Sequence, residues 1–312
     1  MNPIKFKNAY YIKLGRGGEW EESSIEENKA RIGWGAQTIE DINHRNWERI
    51  GRQLRKSFER RGVTNRGAST RDLNMLKMFA ESMSHDVWIT FHNSCLWWCQ
   101  LKESGVQSDE TSKYREVKEH WSDQDIDGNR LIVNQISGRL SKIQAFRGTV
   151  CKVRAIEDLS RLLNHELSAE SRRIGDAMEN LVNEVEGGLK HLHWRDFETL
   201  TDLLFTGAGW HRLSSVGKTM KFVDMEFEEP ITKDIYQVQV KSAATSADLE
   251  QYSHKFSSRG FKRLYFVVHT PSRDLLNSTP DGDKRVELVL PNRLAKMVVE
   301  LGLTGWLLKK IA

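Results

Sequence analysis

The chain has 312 residues, 38% of them hydrophobic and 29% charged, a balance that suits a soluble globular protein of two ordinary domains. No apolar run approaches the roughly 20 residues that span a bilayer. The opening MNPIKFKNAYY lacks a signal-peptide apolar region, so a cytoplasmic protein without membrane attachment is expected. Cys95, Cys99 and Cys151 form no CxxC pair, which argues against a zinc knuckle or a disulfide framework.

The first part, to about residue 155, is rich in tryptophan and short strands. Ala9–Leu14 reads as a strand closed by Gly15-Arg16-Gly17-Gly18, and 31–35 (RIGWG) reads as another. The glycine turn lacks the GxxxxGK[ST] pattern of a phosphate loop, so no nucleotide cofactor is expected. A helical stretch over 38–61 places Ile39, Ile42, Trp47, Ile50, Leu54 and Phe58 at near-helical spacing, and a second helix is expected over 69–82. Between Arg45 and Lys77 the net charge of +4 becomes a local concentration, with ten Lys or Arg against three acids. Such a patch attracts phosphate backbones through counterion release, and Arg52, Arg55, Lys56, Arg60 and Arg61 are its candidate DNA contacts. A solvated helix face is the alternative.

Residues 85–91 and 96–101 form an expected β-hairpin about His92-Asn93-Ser94-Cys95. Strand-like pieces follow near 114–117, 131–134 and 148–153. Several strands with one helical insertion suggest a small curved sheet or barrel. Residues 156–189 are charged and helical, with Gly187-Gly188 as a break, and read as a connector. From 190 to 312, helix and strand alternate: helix 195–206, strands 210–213, 222–227 and 235–241, helix 246–256, strands 263–269 and 285–290, helix 292–299. That order predicts an α/β domain with a mixed sheet.

In Ile235-Tyr236-Gln237-Val238-Gln239-Val240-Lys241, strict alternation puts Tyr236, Val238 and Val240 on one face and Gln237, Gln239 and Lys241 on the other. Phosphodiester cleavage needs a hard divalent cation, an in-line water and something to offset developing charge. An acid on one strand, an oxygen ligand on its neighbour and a lysine two residues later supply that set. Asp224, Gln239 and Lys241 fit it, the carbonyl of Val240 can add a ligand, and Glu198 on the preceding helix is the candidate further carboxylate.

Arg195-Asp196-Phe197-Glu198-Thr199-Leu200, Gly209-Trp210, Gly217, Asp224 and Gln239-Val240-Lys241 together resemble the Mrr-type catalytic domain of the PD-(D/E)xK nuclease superfamily, in the branch where glutamine replaces the second acid. The resemblance spans about 120 residues from Lys190 to the C-terminus. It implies a restriction-endonuclease-like α/β/α fold and double-strand DNA cleavage dependent on Mg²⁺ or Mn²⁺. One departure is that Val223-Asp224-Met225-Glu226 is bulky where that family often has glycine beside the acid, which leaves Glu226 as an alternative holder of the role. The N-terminal part resembles the PUA-like superfamily of EVE, YTH and SRA domains through 11–15 (YIKLG), Ile32-Gly33-Trp34 and the Trp-rich hairpin. That likeness implies a modified base held among aromatics, with Trp34, Trp97, Trp98, Trp121 and Asp123 as candidate pocket residues. Most of these tryptophans are expected in the core, with Trp34 foremost for a site.

The combined expectation is a type IV-like, modification-dependent restriction endonuclease acting against foreign DNA. Residues 1–155 would read a modified base in double-stranded DNA, and 190–312 would cut. A homodimer is expected, since prompt cutting of both strands takes two active sites. The alternatives are an inactive nuclease fold that binds or senses DNA, and a repair or structure-specific nuclease.

Overall fold

A computed structural model describes residues 3–63, 66–213, 223–256, 260–278 and 285–312; Gly217, quoted above, lies outside them. The chain divides into two compact units, residues 1–168 and 169–312.

In the first unit, strand β1 (Ala9–Ile12), helix α1 (Glu21–Glu26) and strand β2 (Lys29–Ile32) precede three helices, α2 (Ile39–Asn43), α3 (Trp47–Arg60) and α4 (Arg66–Glu81). Strands β3 (Val87–His92), β4 (Cys95–Gln100), β5 (Gln107–Ser108) and β6 (Lys113–Glu116) follow, then helix α5 (Gly138–Ser141), strand β7 (Val150–Lys152) and helix α6 (Ile156–Leu163). One sheet has the order β4-β3-β1-β7, with β1 parallel to β3 and antiparallel to β7. A second, antiparallel sheet has the order β2-β6-β5.

The period-two pattern of β1 and β3 sets the two cores of this unit. Ile12 and Trp88 face a core with Ile50, Leu54, Leu76 and Phe79 of α3 and α4. Ala9, Tyr11, Val87 and Ile89 face the opposite one, with Leu131, Leu140 and Leu159. The helical stretch expected over 38–61 is two helices, because Arg45 adopts a left-handed φ of 57° between α2 and α3. The hairpin turns on Asn93 and Ser94, both at positive φ, which suits the twist of a two-residue loop. The strand expected at 131–134 is a single bridge, Cys95 to Ile132, followed by a 3-10 turn over Val133–Gln135.

No barrel closes among the described residues, which corrects the PUA-like barrel expected above. Closure needs a continuous hydrogen-bond ladder from the last strand to the first. Here β4 and β7 remain the edges of one sheet, and β2 and β5 those of the other. The outer edge of β4 meets isolated bridges, Cys95 to Ile132 and Trp98 to Ser122, and just past its end Leu101 bridges to Val117 beyond β6 without forming a ladder.

The second unit contains helices α7 (Ala169–Leu189) and α8 (Trp194–Gly207), then strands β8 (His211–Arg212), β9 (Met225–Glu228) and β10 (Ile235–Ala244). Helix α9 (Ser246–Lys255), strand β11 (Arg263–Pro271), helix α10 (Arg273–Asn277), strand β12 (Val286–Val289) and helices α11 (Pro291–Glu300) and α12 (Thr304–Ile311) complete it. The five-stranded sheet runs β12-β11-β10-β9-β8; β10, β11 and β12 are mutually parallel, and β8 and β9 form the antiparallel edge. Val238, Val240 and Val267 face a core built with Val185, Leu200, Leu204 and Leu294 from α7, α8 and α11. Leu264, Phe266 and Val268 face the other side, against Leu249 of α9 and Leu275 of α10. This is the α/β/α layering expected for 190–312.

The 156–189 segment is shared between the units. Leu159 and Leu163 of α6 are buried in the first, whereas Val182, Val185 and Leu189 of α7 are core residues of the second. Its charge conceals two amphipathic stripes, each committed to a different core. No helix among the described residues is long and apolar enough to cross a membrane.

Candidate functional site

The second unit brings the cleavage candidates together around the middle of β10. The ladder between β9 and β10 pairs Val238 with Met225 and Gln237 with Glu226. One rung beyond it, the Asp224 amide donates to the Val238 carbonyl at 3.1 Å, which turns the Asp224 side chain toward Gln239. Its Oδ2 accepts the Val240 backbone N–H at 2.7 Å and the Gln239 Nε2 at 2.5 Å. Gln239 is 4% exposed, and its amide also reaches the Val240 carbonyl at 3.3 Å. A buried amide without partners would cost about 1–3 kcal/mol, so this pairing fixes its orientation.

Lys241 follows two residues after Gln239 on the same face, and its Nζ lies 5.2 Å from the centroid of the Tyr252 ring on α9. It belongs to none of the ion pairs among the described residues. Glu226 sits one rung away and accepts from Gln237 Nε2 at 3.3 Å. The geometry thus joins Asp224, not Glu226, to Gln239.

Burial raises the Asp224 carboxyl from its ordinary value, while the Val240 N–H, the Lys241 ammonium and the Gln239 amide pull the other way. Glu198 on α8 is also raised, first by burial and then by the charge of Asp224; Arg212 and Arg195 oppose the rise. Asp224 thus acts on Glu198, and the two half-buried carboxylates bring negative charge together at one place. Hard oxygen donors of this kind fit a small divalent cation that keeps much of its water. A carboxylate pair, an amide and a carbonyl are the donors available; no group of three His, Cys, Asp or Glu side chains with metal-holding geometry occurs among the described residues.

The first unit places the DNA-contact candidates on the outer face of α3. Arg52, Arg55, Lys56, Arg60 and Arg61 are all exposed, while Ile50 and Leu54 anchor the opposite side. None of the five takes part in an ion pair among the described residues; Arg49 beside them is tied to Asp41. Arg61 lies over the Phe58 ring at 4.4 Å.

The five candidate pocket residues do not converge. Trp121 is 3% exposed and belongs to the core. Trp97 and Trp98 are neighbours on β4 and therefore pack against opposite cores, their indoles donating to the carbonyls of His92 and Gln124. Asp123 is paired with Arg130 at 2.9 Å. Trp34 stands apart. It is half-buried at a left-handed φ of 58°, and its carbonyl and that of Gly35 accept from the buried Lys113 ammonium. Its Nε1 donates to Asp72 Oδ2 at 3.3 Å.

Three residues escape sequence reading here: Tyr252 beneath Lys241, Arg212 beside Glu198, and Asp72 behind Trp34. Each meets its partner through a fold contact that no local spacing encodes, whereas Arg195, three residues before Glu198 on α8, is a helix neighbour. The acid in the basic run was the one visible signal for Asp72.

No family model matches the chain, and no curated protein matches it in sequence. Among solved structures it is distantly similar to the MspJI restriction endonuclease in complex with a 27-mer oligonucleotide, at 14% identity and a TM-score of 0.29 over 78% of this chain and 68% of that one. It is similar to the DNA modification-dependent restriction endonuclease AspBHI at 10% identity and a TM-score of 0.33, over 72% of this chain and 68% of that one. Likeness at this level fixes neither activity nor site positions, which rest on the geometry described above.

Proposed function

We propose that this protein is a DNA endonuclease of the modification-dependent type, hydrolysing phosphodiester bonds of foreign DNA that carries an altered base. The observation that supports it best is the junction of Asp224, Gln239, Val240 and Lys241 on adjacent strands, with Glu198 electrostatically coupled to Asp224. The order of these residues on a mixed sheet flanked by helices supports reading the second unit as an Mrr-like PD-(D/E)xK domain.

Asp224, Glu198, the Val240 carbonyl and Gln239 would hold Mg²⁺ or Mn²⁺. Bound there, such a cation supplies Lewis acidity toward the scissile phosphoryl group. The Gln239 amide presents Nε2 to the carboxylate; a half-turn about its last bond presents Oε1 instead, the donor a cation requires. The Val240 N–H fixes Asp224 Oδ2 and so orients the carboxylate. Lys241 places a positive charge beside the site, where it offsets charge developing on the phosphate and orients the attacking water. Tyr252 keeps the lysine stem in place.

In this reading the first unit binds DNA, with the exposed α3 cations on phosphates and Trp34 as the aromatic nearest a base. Cutting both strands promptly calls for two copies of the site, hence a homodimer. The test is the full chain with Mg²⁺ on otherwise identical modified and unmodified duplexes. Cleavage of the modified duplex alone supports the proposal. Equal cleavage of both points to a repair or structure-specific nuclease, and binding without cleavage in either metal to an inactive fold that senses DNA.

A further inference from the structure

In the first unit, α4 and the segment running from α5 through β7 into α6 leave an open groove of about 1600 Å³. That exceeds the roughly 300–1,000 Å³ of a site for one small molecule. Its apolar lining includes Phe58, Met75, Met78 and Phe146. The Phe146 ring lies so close to Gly148 that a Cβ there would meet it at 2.7 Å and the Met75 sulfur at 2.8 Å, so glycine is what lets the ring settle on the groove wall.

Arg71, Arg139, Lys142, Arg147, Lys152 and Arg154 line the same groove, and all six are exposed. None is in an ion pair among the described residues. Of the three acids that line it, Asp158 and Glu157 are engaged by Arg161 at 2.9 and 3.8 Å. The third is Asp72, half-buried, its carboxyl raised by burial and held by the Trp34 indole.

An aromatic and thioether wall with a cationic lining matches the chemistry of a nucleic-acid strand whose bases are unpaired. The bases need π-faces to stack on, and the backbone needs cations. A paired duplex offers its phosphates but hides its base faces, so it uses the cations and leaves the apolar wall idle. We infer that this groove binds an unpaired stretch of DNA strand, with bases against the Phe146 ring and the platform that Phe58 forms with the Arg61 guanidinium stacked over it at 4.4 Å, phosphates on the arginines and lysines, and Asp72 accepting from a base amino group. The inference rests on the proposed DNA chemistry only in choosing DNA over RNA. A carboxylate accepts and cannot donate, so the base at Asp72 is one that presents an amino group, as cytosine does through N4. Trp34 is a positioning residue that aims this carboxylate.

The experiment uses the full chain with divalent metal chelated, so that no cleavage enters. Labelled single-stranded DNA, the fully paired duplex, a duplex with a short internal bubble and RNA of the same sequence are titrated in turn. The bubble duplex is expected to bind more tightly than the paired one. Phe58→Ala is expected to weaken the bubble duplex by about five- to a hundredfold and the paired duplex little. Asp72→Asn should shift preference among bubbles that differ only in the unpaired base, and Arg147→Gln with Lys152→Gln should flatten the salt dependence of bubble binding. Thermal melting of each variant checks the fold, and Asp72→Asn, the most conservative change, keeps the test open if Phe58→Ala unfolds. Equal affinity for bubble and paired duplex, or bubble binding that no variant alters, overturns the inference. RNA bound about tenfold or more tightly than DNA overturns the choice of partner. An uncleaving chain that keeps this binding pattern refutes the nuclease reading alone, and an active nuclease indifferent to the groove variants refutes this inference alone.

Discussion

Asp224→Asn is the sharpest probe of the proposed site, because structure and chemistry there pull in opposite directions. The substitution keeps the shape of the side chain and an oxygen for the Val240 N–H, now 2.7 Å away, and the Gln239 amide can turn to meet its new neighbour. What is removed is a half-buried negative charge that acts on Glu198. The folded-state pKa of Asp224 is raised, so the folded protein holds the proton more tightly than the unfolded chain does. Stability is therefore lost as pH rises through the folded-state value, and the ionised carboxylate is a liability at neutral pH. The neutral isostere should raise stability there by about 0.5–2 kcal/mol, the usual gain on relieving a functional conflict. At about 2–4 °C per kcal/mol for a protein of this size, the melting temperature should rise by a few degrees. Wild type and variant should converge in acid, below the ordinary carboxylate range, where Asp224 is protonated in both states. Cleavage should fall by at least about 10²–10³, the loss typical of removing one preorganised charge from an active site. Thermal melts across pH, run beside single-turnover cleavage of a modified duplex, test both halves. A variant that melts lower and cuts normally, with Glu226→Ala inactive instead, would refute the assignment.

Removing charge from α3 by Arg52→Gln, Arg55→Gln and Arg60→Gln should weaken all duplexes about equally and flatten the plot of log affinity against log salt by about one unit per lost phosphate contact. An unchanged slope would return this face to plain solvation. Trp121→Ala should cost about 3–5 kcal/mol of stability and affect modified and unmodified DNA alike, since its indole is core. Trp34→Ala, half-buried against the same core, should cost less in melting temperature than Trp121→Ala and in addition lower preference for the modified duplex; the two measurements together separate the roles. Because Asp224 and Glu198 must both be ionised to hold a cation and burial raises both, Mg²⁺ affinity should weaken as pH falls, and Asp224→Asn should remove that dependence together with the affinity. Metal titrations of wild type and variant across pH check it, and an affinity indifferent to pH and to the substitution would show that these carboxylates do not hold the metal.

The local pattern by itself determined most of the second unit's elements, though not helices α10 and α12 or the place of α7 in its core. Alternation over Ile235–Lys241 fixes which side chains of β10 share a face, and this holds wherever the strand sits, because the period of a strand is two. The order of helix and strand from α8 to α11 then leaves few ways to layer them. Hence Asp224, Gln239 and Lys241 were legible as a set. Only the tertiary structure shows which of Asp224 and Glu226, two residues apart on one face, meets Gln239: the Val240 N–H and the Gln239 amide donate to Asp224, whereas Glu226 accepts from Gln237. It also decided the tryptophans. A Trp-rich hairpin announces burial, but consecutive Trp97 and Trp98 must face opposite ways, so they cannot share a pocket. The open sheets and the division of 156–189 between two cores were likewise beyond local reading. Both depend on which distant surfaces are available to cover an apolar stripe, and neither spacing nor composition states that.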